Sequence, residues 1–229
     1  MIEQSRFLVR SADYEEWLRV RANGVTATMV SKAFDDKGFN EILAQMADPT
    51  PIADNGYMKF GRDQEPHIIE RLQERFDIEG NDWLIASEDA EWRMATPDGL
   101  SPDHGRIVEV KTTGRDWGRY DWVPIHYQRQ VQWQLYVTGA EECVFAWMLR
   151  STAPDKSFIP AWPGPKYVTV KRQHRLQMGH AGLAVAQGMG ALCRHQMRHR
   201  AQLMRMARRG IIGGAHRGQQ LFQGQRLFS

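Results

Sequence analysis

The alternation of hydrophobic and polar residues predicts short helices in the first part of this chain. Asp13 and Glu16 have the spacing of a helix N-cap and its capping partner, and Gly24 predicts the end of that helix. A second helix is predicted over Thr26–Phe34, with its first residue as the cap. Residues 35–56 carry glycines and prolines that predict a helix flanked by loops.

A longer amphipathic helix is predicted over residues 65–76. Ile69 and Leu72 recur at helical spacing, and Glu65, four residues before Ile69, would lie on the same inward face. Proline is favoured at the first helical position, where its missing N–H removes no hydrogen bond, so Pro66 predicts the start of this helix. Glu65 is therefore predicted to lie at the mouth of the helix.

The pattern changes in the middle of the chain, where strands alternate with a helix. The predicted elements are the strands Trp92–Ala95 and Arg106–Val110, the helix Ile125–Thr138 ended by Gly139, and the strands Val144–Leu149 and Lys166–Val170. The third of these strands is a nearly continuous apolar run, which is typical of a central strand. Together the elements predict an α/β (α+β) fold with a central mixed β-sheet flanked by helices.

Charge is distributed unevenly and divides the chain in two. Residues 171–229 contain eleven Lys and Arg and no Asp or Glu, whereas residues 1–170 contain 19 basic and 27 acidic residues, a net charge of −8. We expect residues 1–170 to form one domain and residues 171–229 to form a basic extension, helical at first and then flexible. The asymmetry points to nucleic acid or another polyanion as a partner.

Composition excludes several classes of protein. The longest apolar stretches, such as Val144–Leu149, are far shorter than the roughly 18–20 residues of a membrane-spanning helix. The first residues lack the apolar segment of a secretory signal. Cys143 and Cys193 are too few for a disulfide scaffold or a four-thiolate metal site. We therefore expect a cytoplasmic protein.

Asp98, Glu109 and Lys111 form the candidate catalytic group. Asp98 lies in a tight turn, and if Val108 and Val110 pack inward, Glu109 and Lys111 share the opposite face of their strand. This arrangement would gather two carboxylates and an ammonium at one edge of a hairpin. Carboxylate oxygens suit Mg²⁺ or Mn²⁺, and the lysine can stabilise negative charge that develops on a phosphate.

Simpler interpretations exist for each of these residues. Glu109 and Lys111 fit a solvated salt bridge on an edge strand, Asp98 fits an ordinary turn, and Glu65 fits an ion pair with a lysine such as Lys59. The conjunction of all these features is rarer than any one of them, because an acidic turn, a Val-Glu-Val-Lys strand and an inward glutamate occur together. The conjunction favours catalysis.

Four sequence blocks resemble, in the same order, the lambda-exonuclease-like (YqaJ-type viral recombinase) group of the PD-(D/E)XK nuclease superfamily. They are Arg21–Thr28, Gly61–Glu65, Ala95–Leu100 with Val108–Lys111, and Tyr127–Gln132 continuing to Gly139. They are similar to the group's Arg-x-x-Gly-[Ile/Val]-Thr-Ala-Ser opening, its Gly-x-x-x-Glu, its catalytic core and its Gln-Val-Gln helix. The resemblance covers about residues 13–170 and implies a restriction-endonuclease-like core.

The resemblance implies a metal site. Asp98 and Glu109 would be the principal ligands of Mg²⁺, with Mn²⁺ as a substitute, and the carbonyl of Val110 and the carboxylate of Glu65 would complete the site. Lys111 would contact the scissile phosphate or the water that attacks it.

The resemblance also implies roles for residues around the metal. Gln130 would orient the water or the lysine, although Gln130 and Gln134 also fit a polar stripe on an amphipathic helix. A pocket for a terminal 5′-phosphate would be formed by Arg21, Thr26, Thr28 and Thr96. The family has serine at the last two positions, and a hydroxyl donor remains at both.

The implied function is 5′-to-3′ degradation of linear double-stranded DNA, processive and part of phage-type single-strand-annealing recombination. The family also implies a ring-shaped homotrimer threaded by DNA, with a single-strand annealing protein as a partner. Two alternatives stay open, namely a restriction- or repair-type endonuclease of the same superfamily and a non-catalytic DNA-binding module. The acid-free residues after 170 depart from the family, which favours either a basic arm or a replaced end.

Overall fold

A computed structural model describes residues 1–32, 36–47, 54–161 and 164–173 of the chain. The helices are α1 (Tyr14–Arg21), α2 (Ala27–Lys32), α3 (Asp36–Ala47), α4 (Gly56–Phe76) and α5 (Ile125–Thr138). The strands are β1 (Phe7–Arg10), β2 (Val25–Thr26), β3 (Glu79–Gly80), β4 (Trp83–Ala86), β5 (Arg93–Ala95), β6 (Gly99–Leu100), β7 (Arg106–Thr113), β8 (Glu142–Thr152), β9 (Phe158–Pro160) and β10 (Lys166–Lys171). None of these described helices has both the length and the apolar character needed to cross a membrane.

The larger of the two sheets in the described residues is mixed and forms the centre of the fold. Its strand order is β10-β8-β7-β6-β3, and β9 pairs with β8. The central strands β7 and β8 run parallel from the pair Arg106–Glu142 to the pair Thr113–Leu149, while β10 and β6 pair with them in antiparallel fashion. The apolar run in β8 is therefore central, as its composition predicts.

Helices cover both faces of this sheet because side chains alternate along its strands. On one face, Val108 of β7 packs in the same apolar cluster as Ile69 of α4. On the other face, Ile107 of β7 packs in a cluster with Val131 of α5. Glu109, two residues after Ile107, therefore lies on the α5 side of the sheet.

The second sheet has the strand order β1-β4-β5-β2 and is less evident in the sequence. Its strands β2 and β5 run parallel, with Val25 beside Arg93 and Thr26 beside Met94. Helix α5 packs against this sheet as well, and the indole N–H of Trp133 donates a hydrogen bond to the Met94 carbonyl oxygen at 3.0 Å. Helix α5 thus lies between the two sheets and contacts both.

Helix α4 begins at Gly56, well before the predicted start. Asn55 is its N-cap, and the Asn55 side chain accepts a hydrogen bond from the amide three residues later at 3.0 Å. The prediction that Pro66 opens the helix was wrong, and Glu65 lies in mid-helix rather than at the helix mouth. The proline is tolerated there because Pro66 and Arg62 are both exposed, so the carbonyl that lacks an amide partner lies on the solvent side.

The strands around the candidate catalytic residues also differ from the predicted hairpin. Strand β7 pairs with the short strand β6, whereas β5 belongs to the smaller sheet. Strand β7 has neighbours on both sides, and the side chain of Glu109 is only 1% exposed. The interpretation of Glu109 and Lys111 as a solvated salt bridge on an edge strand is therefore wrong, and so is their placement at an open hairpin edge.

Glycine is required at position 24 because the backbone of Trp92 lies too close for a Cβ atom. We therefore expect Gly24→Ala to destabilise the fold by about 1–3 kcal/mol. A Cβ atom at this position would lie 2.6 Å from the carbonyl oxygen of Trp92, which also accepts a hydrogen bond from the Val25 amide at 2.7 Å. The added methyl group would force β2 away from β5. Urea unfolding measures the loss.

The matched control for this prediction is Gly61→Ala. A Cβ atom at Gly61, inside α4, would have Thr112 Oγ1 as its nearest neighbour at 3.8 Å, which is ordinary contact. Alanine favours a helix interior over glycine by up to about 1 kcal/mol, so this variant should unfold at the same or higher urea concentration. Equal stability losses in the two variants would contradict the close-approach explanation.

Candidate active site

Glu109 occupies the centre of the candidate site. Its Oε1 accepts hydrogen bonds from the ammonium of Lys111 and from Nε2 of Gln130, the latter at 2.6 Å, and its Oε2 accepts one from Nε2 of Gln134 at 2.6 Å. The two glutamines are four residues apart on α5, so both extend from one face of that helix towards β7. Three donors thus balance the burial of this carboxylate.

Asp98 lies directly before β6 and beside β7. Its Oδ2 accepts a hydrogen bond from the Val110 amide at 2.6 Å, and its own amide donates to the Val108 carbonyl oxygen at 2.9 Å. These backbone bonds hold Asp98 next to Glu109. Burial, followed by the charges of Glu109 and Glu65, raises the pKa of Asp98 well above that of an ordinary aspartate.

Glu65 lies on α4, which packs on the other face of the sheet, near enough to Glu109 for their charges to interact. Burial and then the charge of Glu109 raise the pKa of the Glu65 carboxyl, so the two carboxyl groups interact electrostatically. Lys59 pairs instead with Asp63, at 2.5 Å. The interpretation of Glu65 as the ion-pair partner of Lys59 is therefore wrong.

Lys111 supplies the positive charge of the site. Its Nζ contacts Glu109 and lies 5.3 Å from the centre of the Tyr127 ring. Burial opposes the charge of the ammonium, but the carboxylates of Glu109 and Asp98 outweigh burial and raise the pKa of Lys111 above its ordinary value of 10.5. Lys111 is therefore charged at neutral pH and offsets part of the crowded negative charge.

The donors in this site suit a hard divalent cation. Glu65, Asp98 and Glu109 offer carboxylate oxygens and Val110 offers a carbonyl oxygen, which are the ligands that Mg²⁺ prefers. Burial and, after it, the neighbouring carboxylates raise the pKa of both Glu65 and Asp98, and a bound cation would favour their ionised forms. Within the described part of the chain, no group of three or more His, Cys, Asp or Glu side chains is arranged to hold a metal ion. The chemical types of these oxygen donors fit a hard divalent cation. In this structure, however, the Glu109 carboxylate is hydrogen-bonded to Lys111 and to the side-chain amides of Gln130 and Gln134.

Arg21 and Thr26, predicted to bind a terminal phosphate, lie together. Nη2 of Arg21 is 3.3 Å from Oγ1 of Thr26, and the guanidinium lies over the Trp17 ring at 4.7 Å. Burial lowers the pKa of Arg21, and no carboxylate in the described ranges forms a salt bridge with it. A half-buried cation without a carboxylate partner is suited to bind an anion.

The other two predicted pocket residues are placed differently. Thr28 is exposed on the first turn of α2, and Thr96 is half-buried two residues before Asp98. Among the residues that the structure describes, neither threonine hydroxyl is hydrogen-bonded to Arg21. The structure thus assembles the Arg21–Thr26 part of the pocket only.

Gln134 is the candidate functional residue that sequence reasoning missed. Its side chain is 0% exposed, so the interpretation of Gln134 as part of the polar stripe of an amphipathic helix was wrong. The signal lay in its position, because Gln134 stands four residues after Gln130 and between the apolar residues Trp133 and Leu135. A polar side chain in such surroundings needs a buried partner, and here that partner is Glu109.

The predicted basic extension lies almost entirely outside the described residues. Of residues 171–229 the structure describes 171–173, where Lys171 ends β10 and pairs with Glu142 at 2.5 Å. The division of the chain near residue 170 and the character of the extension stay predictions.

A mixed β-sheet with an acidic turn, a Glu-x-Lys strand and covering helices defines the restriction-endonuclease-like PD-(D/E)XK fold, and solved structures confirm that predicted fold class. The alkaline exonuclease LHK-Exo from Laribacter hongkongensis superposes with a TM-score of 0.58 and 23% identity, over 82% of this chain and 99% of that one. A phage related exonuclease from Haemophilus somnus superposes with a TM-score of 0.56 and 15% identity, over 76% of this chain and 96% of that one.

Within this class, the chain belongs to the YqaJ-like viral recombinase domain family, whose model matches residues 16–141. The resemblance carried by the four sequence blocks is thereby confirmed. The chain is also similar to an uncharacterized protein of Acanthamoeba polyphaga mimivirus, with 29% identity over 154 residues. The match covers 57% of this chain but 28% of the viral protein, so the chain spans less than a third of that relative.

Proposed function

We propose that this chain is a metal-dependent deoxyribonuclease that degrades linear double-stranded DNA from its 5′ ends. The observation that carries the proposal is the cluster of half-buried Asp98 and Lys111 around buried Glu109 in a chain of the YqaJ-like family. LHK-Exo supports it, because that protein is described as an alkaline exonuclease and has also been solved in complex with dAMP.

Different side chains of the site would have different roles in phosphodiester hydrolysis. Glu65, Asp98, Glu109 and the Val110 carbonyl would hold Mg²⁺ or Mn²⁺, which when bound polarises a phosphate and lowers the pKa of water. Lys111 has the charge to stabilise the negative charge that develops on the scissile phosphate. Gln130 fixes Oε1 of Glu109, the oxygen that also contacts Lys111, and so sets where the ammonium lies.

The proposal also covers how the enzyme binds DNA and which partner it acts with. Processive 5′-to-3′ digestion would be supported by a ring-shaped homotrimer threaded by the duplex. The family's description as a viral recombinase domain supports a role in phage-type single-strand-annealing recombination, with an annealing protein as partner. The basic residues after 170 would add contacts to the DNA backbone or to that partner.

Incubation with linear, nicked and closed-circular duplexes tests the proposal. With Mg²⁺ we expect loss of the linear duplex, survival of the closed circle, and no cleavage when EDTA is present. Loss of closed circles would support an endonuclease of the same fold. Binding of DNA without any products would support a non-catalytic binding module.

Arg21→Met should remove a preference for 5′-phosphorylated ends. If Arg21 binds the terminal phosphate, the unmodified protein should degrade a 5′-phosphorylated duplex faster than a 5′-hydroxyl duplex. One charge-assisted hydrogen bond contributes about 1.5–3 kcal/mol, which corresponds to roughly a tenfold to hundredfold difference in rate. Methionine keeps an apolar stem against Trp17 and removes the charge together with the hydrogen bond to Thr26. Initial rates on the two duplexes measure the preference.

Arg19→Met is the matched control for this prediction. Arg19 lies on the same helix but is exposed and pairs with Glu16, so its loss should leave the preference intact. Equal rates on phosphorylated and hydroxyl ends in the unmodified protein would remove the phosphate pocket from the proposal.

A further inference from the structure

Gln134, on α5, makes a buried contact with Glu109. Its Nε2 donates to Oε2 of Glu109 at 2.6 Å and lies 3.4 Å from the carbonyl oxygen of Thr96. Both neighbours are acceptors only, so the orientation of the amide is determined and its NH₂ must face Glu109. The side chain is 0% exposed, and water cannot replace this contact.

This orientation leaves the other end of the amide without a partner. Oε1 of Gln134 is buried and accepts no hydrogen bond among the described residues. A buried carbonyl oxygen without a donor is unfavourable, and an apolar side chain of the same length would avoid it. The unpaired oxygen therefore offsets part of the stabilisation that Gln134 gains from its hydrogen bond to Glu109.

The three hydrogen bonds to Glu109 also determine which acceptor position of the carboxylate stays open. A carboxylate oxygen has two acceptor positions. Lys111 and Gln130 take both positions on Oε1, whereas Gln134 takes one of the two on Oε2. Oε2 is therefore the oxygen of Glu109 that can still bind a cation, and Gln134 is the side chain that fixes its direction.

We infer that Gln134 is a positioning residue, which holds Oε2 of Glu109 in the orientation for a divalent cation. This inference rests on the proposed function. Second-layer partners of metal ligands typically change metal affinity or activity by about 10–100-fold when they are removed. Gln134 would act in this way through Glu109 and would not itself touch the cation or the DNA.

Gln134→Met tests the inference, because methionine has a similar length and cannot donate a hydrogen bond. We expect Mn²⁺ affinity, measured by electron paramagnetic resonance without DNA, to fall by about 10–100-fold. The cleavage rate at saturating DNA should fall with it, while KM for DNA stays unchanged. The metal-free protein should lose some stability, because Oε2 of Glu109 loses a buried donor, so urea unfolding and circular dichroism check that the variant stays folded during the Mn²⁺ measurement.

Gln128→Met is the matched control on the same helix. The amide of Gln128 donates to the backbone carbonyl of Val123 at 2.7 Å, away from Glu109, so this variant should keep the Mn²⁺ affinity and the rate of the unmodified protein.

Two results would overturn the inference. One is a Gln134→Met protein with unchanged Mn²⁺ affinity, and the other is a loss of affinity that Gln128→Met shows equally. The Mn²⁺ measurement also separates this inference from the proposed function. An unmodified protein that binds Mn²⁺ but cuts no DNA would contradict the function, while the order of affinities among the variants would still decide the role of Gln134.

Discussion

Replacement of Glu109 by glutamine is expected to lower the rate of DNA degradation by more than about a hundredfold, because metal catalysis contributes several kcal/mol and about 1.4 kcal/mol corresponds to a factor of ten. The fold should survive the substitution. The carbonyl of the new amide can accept the bonds from Lys111 and Gln130. Its NH₂ group then faces Gln134, whose own buried carbonyl oxygen has no partner among the described residues and becomes an acceptor when that amide turns.

Single-turnover cleavage of a 5′-phosphorylated linear duplex measures this effect, with circular dichroism to check folding. Glu142→Gln is the matched control, since Glu142 lies on the adjacent strand β8 but pairs with Arg106 and Lys171 outside the site. That variant should cleave at the normal rate. A folded Glu109→Gln protein with full activity would contradict the proposed function as a whole.

Alanine at position 109 is a poorer test than glutamine. The sequence pattern predicts that Asp98, Glu109 and Lys111 lie at an exposed strand edge. Their alanine variants would then be expected to fold normally. The burial of Glu109 argues against that prediction for this residue. Alanine would leave a cavity and remove the acceptor of Gln130 and Gln134, so lost activity would not separate chemistry from folding.

Lys111→Met is expected to reduce the free energy of unfolding of the metal-free protein by about 3–5 kcal/mol, as removal of one member of a buried ion pair does. The side chains of Lys111 and Glu109 are 19% and 1% exposed, so water screens the pair weakly. Without the ammonium, the carboxylates of Glu109, Asp98 and Glu65 repel one another with less compensation. Urea unfolding at about pH 8 in EDTA measures the loss.

The pH dependence of this loss has a definite sign. The folded-state pKa of Asp98 is already raised, so the ionised carboxyl opposes folding above that pKa and ceases to do so as the pH falls towards its ordinary value of 3.8. Lys111 lowers that pKa, and its removal raises the pKa further. The stability loss in Lys111→Met should therefore be larger at about pH 8 than at about pH 5.

Lys166→Met is the control for the ion pair. Lys166 pairs with Asp116 on the surface, where the two side chains are 46% and 34% exposed. Exposed pairs contribute little, and we expect no measurable loss of stability in this variant. A Lys111→Met protein as stable as Lys166→Met at both pH values would show that the buried pair does not support the fold.

Some elements of this fold could be predicted because their patterns are local. Helix α5 has a regular apolar stripe and ends at Gly139, whose φ of 81° is the left-handed conformation that glycine favours, so its predicted bounds match the structure. The apolar run of β8 likewise indicates a central strand. The alternation of Val108 to Lys111 places Glu109 and Lys111 on one face of β7.

Other elements depend on contacts that the local pattern does not contain. Pro66 follows a rule for helix starts, but the cap at Asn55 and the apolar contacts of α4 with β7 and β8 override it. The burial of Glu109 depends on α5 lying across β7. For the same reason, Gln134 could not be assigned a partner before the helix and the strand were brought together.

The position of α5 between the two sheets has a consequence for the size of the products. The helix contacts Glu109 in the larger sheet through Gln130 and Gln134, and contacts the smaller sheet through the Trp133 bond to Met94, beside Thr26. If the proposed function is correct, the single helix α5 fixes the distance between the bound 5′ end of the DNA strand and the scissile bond. Because this distance is fixed by the fold, every cut would release a fragment of the same length.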